Sequence, residues 1–391
     1  MLAHSPPLPL LIDYGSRDTA TEDEDGIILA FKQRDRVRCV RLQLPITSLQ
    51  RIIGTIEDEY PILEYLFIMH PDQDVSSILI FPEAFQAPRL GHIILNDFAL
   101  PIGSRLLTTA VGLVTLFLYI DHPSSYFHPN TLLQWLSSMP NLETLVIFFS
   151  FPVHDHDEAR QLTHTPISIP VMLPNLQRFT FQGVSTYLEA IVHLITTPRL
   201  EKFEVIFFHQ PTFSVPRLLR SMNPTGNLKF DSVRFNFSRD NVCVAFFLGD
   251  NPEMFVVAIL VECSDLDWQV SSVAQIFNFP SQMFSAVEHL SLDHGEHGLP
   301  TEEYELVDRA GWRGLLSPFS NAKTLRIDDK LVEELSRSLQ LEDGEHSSEL
   351  LPELQELRYS GRGDTGGDFT PFINARQNAG RPVKLGRLSL T

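Results

Sequence analysis

One short phrase recurs along this chain of 391 residues and points to a fold built from repeats. It combines a turn residue such as Pro or Asn with Leu-x-x-Leu-x-φ, in which φ is apolar. Met139–Phe149 reads "MPNLETLVIFF", and variants follow as "LPNLQRFTFQG", "TPRLEKFEVIFF", "SAVEHLSLDHG", "NAKTLRIDDK" and "LPELQELRYSG". Their aligned apolar residues are Leu63, Leu90, Leu113, Leu142, Leu176, Leu200, Leu228, Val287, Ala322 and Leu354. Most neighbouring phrases lie 23 to 35 residues apart and one interval is 59, spacings that are typical of stacked repeats.

Each phrase predicts a turn that leads into a short strand, because apolar residues alternate after it, as Leu145 and Ile147 do. The segments between phrases have helical periodicity, and Asn130 is the predicted N-cap of one of them. The predicted helical faces contain Leu49, Ile52, Ile53 and Ile56; Leu188, Ile191, Val192 and Ile195; and Leu331, Leu335 and Leu339. A strand that returns through a helix pairs with its predecessor in parallel.

The predicted fold class is therefore α/β: a leucine-rich-repeat-like solenoid with a curved parallel β-sheet on the concave face and helices on the convex face. Residues 1–26 are predicted to form an N-terminal strand and acidic lead-in, and residues 27–391 a single irregular leucine-rich repeat domain of about eleven to twelve units. Arg36–Leu44 is the predicted opening strand, and Phe255–Cys263 supplies a strand in the long interval. The alternative is a doubly wound α/β domain, which does not explain the recurrent phrase. Antiparallel strand pairing, or two separate compact globules, would overturn the solenoid interpretation.

Charge and cysteine content limit the classes of function. The net charge is −19, from 30 basic and 49 acidic residues, and no long basic run is present, so we expect no binding to nucleic acid. Cys39, Cys243 and Cys263 are far apart and are predicted to be buried thiols of a reducing compartment. The N-terminus lacks a basic start, and the longest apolar runs are too short to span a membrane. We expect a cytoplasmic or nuclear protein with no membrane contact.

Two histidine-rich stretches are the candidates for chemistry. They contain His154, Asp155, His156, Asp157, Glu158 and His164, and His289, Asp293, His294, Glu296 and His297. Both read as loops, and a zinc site would need several of these side chains to converge on one ion. No Gly-x-Ser-x-Gly elbow or phosphate-binding glycine loop is present. We therefore expect no enzyme, no metal and no cofactor. The alternative is a hydrolase or transferase on an α/β scaffold with a histidine/carboxylate site.

The remaining candidate for function is a binding surface on the strands. Side chains alternate between the two faces of a strand, so each phrase exposes every second residue on the concave side. The predicted partner-binding residues are Phe117, Tyr119, Val146, Phe148, Arg178, Thr180, Lys202, Glu204, Arg234, Asn236, His289, Ser291, Asp293, Arg326, Asp328, Glu356 and Arg358. Aromatic side chains beside arginines are typical of interface anchors. The expected partner is a protein whose identity the sequence does not indicate.

Several long stretches carry a family resemblance. "LLQWLSSMPNLETLVIFF", "LPNLQRFTFQGVSTYLEAIVHLITTPRLEKFEVIFF", "VDRAGWRGLLSPFSNAKTLRIDDKLVEELSRSLQLEDGEHSSELLPELQEL" and "FTPFINARQNAGRPVKL" resemble the large F-box-associated leucine-rich repeat proteins of mushroom-forming fungi. In that family an N-terminal F-box docks on a Skp-type adaptor of a cullin–RING ubiquitin ligase, and the repeats select the substrate. Here "PPLPLLIDY" looks like the family's first strand after the F-box. The resemblance implies a substrate receptor that would need an upstream F-box to bind the adaptor.

Overall fold

The computed structural model describes residues 8–15, 21–56, 59–71, 78–101, 103–152, 170–222, 230–249, 255–278, 282–295, 308–340, 350–360 and 368–388. The chain divides into an N-terminal unit, Met1–Glu201, and a C-terminal unit, Lys202–Thr391. Both contain helices and a mostly parallel sheet, which confirms the mixed α/β class. Within the described residues, no helix has both the length and the apolar character needed to cross a membrane. The predicted single repeat domain over residues 27–391 stays a prediction.

The sheet of the N-terminal unit is parallel throughout its described strands. The strands are β1 (Leu10–Gly15), β2 (Val37–Gln43), β3 (Tyr65–Met69), β4 (Leu79–Ile80), β5 (His92–Asn96), β6 (Phe98–Ala99), β7 (Thr115–Ile120), β8 (Thr144–Phe149), β9 (Val171–Met172), β10 (Arg178–Gly183) and β11 (Ile195–Thr196). They pair in the order β1-β2-β3-β5-β7-β8-β10, and β4–β6 and β9–β11 form two small pairs beside this sheet. The helices are Thr21–Phe31, Ile46–Ile53, Arg105–Thr109, Pro129–Leu136 and Ser185–Ile191.

The C-terminal unit contains one departure from parallel pairing. Its strands are β12 (Lys202–Phe208), β13 (Ser232–Phe237), β14 (Asn241–Phe247), β15 (Phe255–Glu262), β16 (His289–His294), β17 (Thr324–Ile327), β18 (Glu356–Ser360) and β19 (Lys384–Leu388), in the order β12-β15-β14-β13-β16-β17-β18-β19. Its helices are Pro216–Met222, Leu266–Phe277, Arg309–Leu316, Val332–Leu339 and Thr370–Asn378. β14 is antiparallel to both β13 and β15, so the expectation of parallel pairing throughout is wrong here. β13 joins β14 through a short turn, which needs no crossover helix.

The recurrent phrase has the same backbone geometry wherever it is described. The N–H of the aligned residue donates to the carbonyl three residues earlier, closing a turn just before the strand. The pairs are Leu63–Tyr60, Leu90–Ala87, Leu113–Ala110, Leu142–Met139, Leu176–Leu173, Leu200–Thr197, Val287–Phe284, Ala322–Phe319 and Leu354–Leu351, at 3.0 to 3.3 Å. Each of these nine aligned residues is buried, Leu200 being the most exposed at 8%, and Leu228 lies outside the described residues. Leu-x-x-Leu therefore encodes a core residue, a turn and the start of a strand.

Asparagines in the turns connect one repeat to the next. Asn141 Nδ2 donates to the Val111 carbonyl at 3.2 Å, and Asn175 Nδ2 donates to the Pro140 carbonyl at 3.3 Å. In the C-terminal unit, Asn321 Nδ2 makes the equivalent bond to the preceding repeat at 2.8 Å. Each asparagine stands one residue before the aligned position. These bonds explain why "PNL" and "SNA" recur: the amide satisfies a backbone carbonyl that the turn leaves without a ladder partner.

The alternate strand residues that point toward the helices form the core, which is rich in aromatic side chains. In the N-terminal unit the rings of Phe149 and Tyr187 lie 5.0 Å apart, and in the C-terminal unit those of Phe237 and Trp312 lie 5.5 Å apart. Close packing also explains Gly183, which ends β10 where leucine-rich repeats usually carry Asn or Cys. A Cβ there would lie 2.8 Å from the Phe181 ring and 3.2 Å from the Phe149 ring, so an Asn does not fit.

Several local predictions differ from the structure. The helix at Pro129 is capped by His128, whose Nδ1 accepts the Asn130 N–H at 3.2 Å, so Asn130 is not the cap. The acidic stretch beginning at Thr21 is helical: the helix buries Ile27 and Phe31, and Arg51 of the next helix donates to Glu24 and Asp25. The three cysteines are free but only partly buried. The predicted helical face ending at Ile195 stops earlier, since Ile195 lies in β11; the apolar faces at Leu49 and Leu331 are buried as predicted.

Candidate functional site

The predicted concave residues lie on the side of each sheet that faces away from the helices, which we call the open face. Strand residues alternate between fully buried and partly exposed, for example Leu116, Leu118 and Ile120 against Thr115, Phe117 and Tyr119. Pairing aligns the open-face residues of neighbouring strands in rows. One row of the N-terminal unit is Asp13, Arg41, Phe67, Ile94, Phe117, Val146 and Thr180. One row of the C-terminal unit is Glu204, Ala258, Ala245, Arg234, Ser291, Arg326, Arg358 and Gly386.

Aromatic rings dominate the open face of the N-terminal unit. The Tyr119 and Phe148 rings stack with centroids 5.2 Å apart and an interplanar angle of 7°, and the Phe117 ring lies 6.4 Å from Tyr119. Burial raises the pKa of Tyr119, so its hydroxyl stays neutral at physiological pH. The Arg41 guanidinium covers the Phe67 ring at 5.3 Å. Phe117, Tyr119 and Phe148 are each partly exposed, which leaves an ordered aromatic patch on this face.

The remaining predicted residues of this unit differ in accessibility. Val146 and Thr180 lie on the open face in register with Phe117, but they are only 4% and 7% exposed. They therefore support the rings beside them and offer almost no contact area of their own. Arg178 is exposed and lies opposite Thr144. Of the predicted residues in this unit, Phe117, Tyr119, Phe148 and Arg178 are available to a partner.

Charged residues dominate the open face of the C-terminal unit. Lys202 Nζ lies 4.0 Å from the centre of the Phe255 ring, and Arg234 Nε lies 3.3 Å from Asp293 Oδ2. Asn236 is exposed, and Glu204 is partly exposed. The charge of Glu204 contributes to the raised pKa of Cys243, about 11, of which burial is the main cause. Polar contacts on this face are thus offered by Lys202, Glu204, Arg234 and Asn236. Their opposite charges compensate each other only in part.

Strands β16, β17 and β18 continue this charged surface. His289 Nδ1 lies 2.8 Å from the Thr324 hydroxyl, and Ser291 donates to Asp293 at 3.0 Å. Arg358 Nη2 donates to Glu356 Oε2 at 2.8 Å, and Lys384 Nζ lies 3.8 Å from the other oxygen of Glu356. The contacts His289–Thr324 and Glu356–Lys384 join neighbouring strands, whereas Ser291–Asp293 and Glu356–Arg358 each lie within one strand.

Asp328 lies among other acidic side chains at the carboxyl ends of β16 and β17. Burial, together with a hydrogen bond to Asp329 and the charge of Asp293, raises the pKa of Asp328 to about 6. Its Oδ1 accepts the backbone N–H of Lys330 at 3.2 Å. Burial and the nearby Lys330 ammonium lower the pKa of His294, which is buried. Asp328 therefore changes charge close to neutral pH at the border of the open face.

Sequence reasoning missed a polar cluster at the carboxyl ends of β5, β7 and β8. Asn96 Nδ2 donates to Asp121 at 2.6 Å, and the Ser150 hydroxyl donates to the other Asp121 oxygen. Asp97, in the left-handed region at φ 57°, accepts the backbone N–H groups of Asp121 and His122 at 3.2 and 2.9 Å. The chain's own donors thus occupy both carboxylates, and the cluster joins consecutive repeats. Its members lie in different repeats, so no local motif reveals it.

The histidine-rich stretches do not form a site in the described part of the chain. His154, Asp155, His156, Asp157, Glu158 and His164 lie outside the described residues, as do Glu296 and His297. His289 and Asp293 point to the open face, whereas His294 belongs to the buried set of β16, so the three side chains do not converge. Among the described residues, no group of three or more His, Cys, Asp or Glu side chains could hold a metal ion. The histidine/carboxylate alternative stays a prediction.

Comparison with known proteins adds no assignment. No protein-family model matches the chain, and no curated protein matches it.

Proposed function

We propose that this protein is a non-enzymatic, leucine-rich-repeat-like solenoid that binds another protein on its open strand face. The antiparallel β14 interrupts the repeat architecture, but the recurrent turn supports that architecture on either side of it, because Leu63 and Leu354, near opposite ends of the sequence, close the same backbone bond. Parallel strands joined by such turns hold their open-face side chains in fixed rows. A preorganised surface loses little conformational entropy on binding, which favours recognition of a protein partner.

The observation that carries this proposal is the aromatic patch of Phe117, Tyr119 and Phe148. The three rings are stacked and partly exposed on the open face of β7 and β8. Phenylalanine and tyrosine are enriched at protein interfaces because they bury a large apolar area and lose few rotamers. Tyr119 also presents a neutral hydroxyl that can donate to a backbone carbonyl. An ordered apolar patch with such a polar group is the pattern of an interface anchor.

The family resemblance makes the proposal more specific. We propose a substrate-recognition role like that of the repeat region in fungal F-box ubiquitin-ligase subunits, in the cytoplasm or nucleus. The Skp-type adaptor would be a partner only if an F-box precedes residue 1 in a longer protein. Neither a cofactor nor a metal enters this role.

The experiment starts from proximity labelling of the full-length chain and of a form extended upstream. Each enriched protein is purified, and its affinity is measured for wild type, Tyr119→Ser and Phe148→Ser. We expect each substitution to weaken binding about tenfold or more, because a truncated interface aromatic typically costs about 2 kcal/mol. Trp268→Ser is the matched control, since Trp268 is 47% exposed and lies on the helix Leu266–Phe277 of the other unit. If no purified partner distinguishes the aromatic variants from that control, the proposed face is wrong.

A further inference from the structure

Two arginines stand directly opposite each other on neighbouring strands of the C-terminal unit. Arg326 on β17 is in register with Arg358 on β18, and both side chains are exposed on the open face. Neighbouring strands are about 4.8 Å apart, and like charges at directly opposed positions destabilise a sheet. Stability alone therefore does not explain this pair.

The surroundings compensate these charges only in part. Arg358 bonds to Glu356, but Glu356 Oε1 also lies 3.8 Å from Lys384 Nζ. On its other side Arg326 is in register with the neutral Ser291, and no described carboxylate lies within ion-pair distance of Arg326. Arg234 lies two strands from Arg326 in the same row, and its Nε lies 3.3 Å from Asp293 Oδ2. We call Arg234, Arg326 and Arg358 the arginine row.

Charge complementarity identifies the chemistry of the ligand. An exposed guanidinium forms paired hydrogen bonds with a carboxylate, and arginines held in register present several such sites in line. A polypeptide segment with several Asp or Glu side chains fits this arrangement. The net charge of −19 opposes any anionic ligand, but it opposes a long nucleic acid more than a short acidic segment, whose charges need not extend beyond the row.

We propose that the arginine row binds an acidic segment of the protein partner. This inference rests on the proposed protein-binding function and adds the chemical class of the segment that is recognised. The partner's carboxylates would pair with Arg326, which has no ion pair among the described residues, and would compete with Glu356 for Arg358. Binding would weaken as salt is raised, because the contacts are between exposed charges.

The direct test uses the full chain and a fluorescein-labelled peptide of alternating Glu and Ser residues, with fluorescence anisotropy at low and high salt. We expect binding to wild type and a loss of about tenfold in the double variant Arg326→Gln/Arg358→Gln. A peptide with Gln in place of Glu should not bind. Arg337→Gln is the matched control, because it removes the same charge from the helix Val332–Leu339, where Arg337 bonds to Glu333. It should change the affinity less than about twofold.

Three outcomes would overturn the inference. They are no detectable binding of the Glu peptide, equal binding by wild type and the double variant, and tight binding of single-stranded RNA that depends on the same arginines. The partner from the aromatic-variant experiment separates this inference from the proposed function. If that partner binds the double variant as tightly as it binds wild type, the inference about the arginine row is wrong and the proposed protein-binding function is unaffected. If no partner depends on Tyr119 or Phe148 either, the proposed function fails as well.

Discussion

The open faces of the two units share the recurrent turn before the strand and differ in their side-chain chemistry. In the N-terminal unit the central positions of β7 and β8 carry Phe117, Tyr119 and Phe148, whose rings stack on one another. In the C-terminal unit the corresponding alternate positions of β17 and β18 carry Arg326 and Arg358, which repel each other. The first face gains stability from its own side chains, whereas the second holds charges that a ligand could neutralise. The repeat phrase therefore constrains the core and the turn, and leaves the chemistry of the open face free to vary.

The backbone hydrogen bonds that precede the strands are also equivalent in the two units, although the side chains at those positions differ. Glu143 N–H donates to the Val114 carbonyl at 2.8 Å, and in the other unit Lys323 N–H donates to the Glu288 carbonyl at the same distance. These four residues occupy equivalent positions, one after the aligned apolar residue, yet their side chains differ in charge and polarity. The main chain carries the architecture, so a surface position can change without disturbing the repeat.

The largest expected effect tests whether the two units share one kind of core. Phe149→Ala and Phe235→Ala should each cost about 3–5 kcal/mol of unfolding free energy, because both rings are almost fully buried among other aromatic side chains. Urea denaturation followed by tryptophan fluorescence and by circular dichroism measures each cost. The matched control is Phe148→Ala, one residue from Phe149 but on the open face, and it should cost far less. Equal costs at positions 148 and 149 would contradict the assignment of the two faces.

A smaller effect tests the aromatic face itself. Tyr119→Ser should reduce the unfolding free energy by about 1 kcal/mol, because it removes the ring that stacks on both Phe117 and Phe148. Thermal unfolding monitored by circular dichroism measures the change. Tyr119→Phe keeps the ring, so it should retain most of the stability. A full loss in Tyr119→Phe would show that the hydroxyl, rather than the stacked ring, is the stabilising group.

Local patterns predicted much of the fold. The period of two after each aligned leucine indicated the strands, and the alternation assigned Phe117 and Tyr119 to one face and Leu116 and Leu118 to the other, as the structure shows. Strand direction was harder to predict, because buried and exposed residues alternate in the same way in parallel and antiparallel strands. "NVCVAFF" lacks the repeat phrase, so the antiparallel β14 was not predicted.

Contacts between distant residues explain most of what the sequence did not show. Asp97 and Asp121 are 24 residues apart, and the pairing of β5 with β7 brings the backbone N–H of Asp121 to the carboxylate of Asp97. Glu24, in the helix that begins at Thr21, likewise bonds to Arg51, which lies 27 residues further along the chain. His128 is a further case, since histidine is not among the usual N-cap residues and Asn130 was the better candidate from sequence.

A pH-dependent effect sharpens the description of the charged face. The folded-state pKa of Asp328 is about 6, above the ordinary value of 3.8 for an aspartate, so its contribution to stability is present below pH 3.8 and is lost as the pH rises through 6. Asp328→Asn should therefore stabilise the protein at pH 7.5 but not at pH 3.5. We expect less than about 1 kcal/mol, because solvent screens a partly exposed carboxylate. Denaturation midpoints measured across this pH range test the effect.

The control for this change is Asp308→Asn, which removes a carboxylate outside the group formed by Asp293, Asp328, Asp329, Lys330 and His294. It should not reproduce the pH dependence. A variant Asp328→Asn whose stability relative to wild type is the same at pH 3.5 and 7.5 would show that this carboxylate does not change charge in the expected range. The charged face would then depend on its arginines alone.

The smallest expected effect bears most directly on the difference between the two faces. Arg326→Thr should raise the unfolding free energy by about 0.5 kcal/mol, because it removes a like-charge pair across β17 and β18 and places a β-branched residue in a strand. Arg178→Thr is the control in the N-terminal unit, since Arg178 lies opposite the neutral Thr144 and gains only the strand preference. Denaturation at low salt measures both, and the difference between them should shrink as salt screens the charges. A loss of stability in Arg326→Thr would mean that Arg326 stabilises the fold, and the main reason for assigning it to a ligand would be gone.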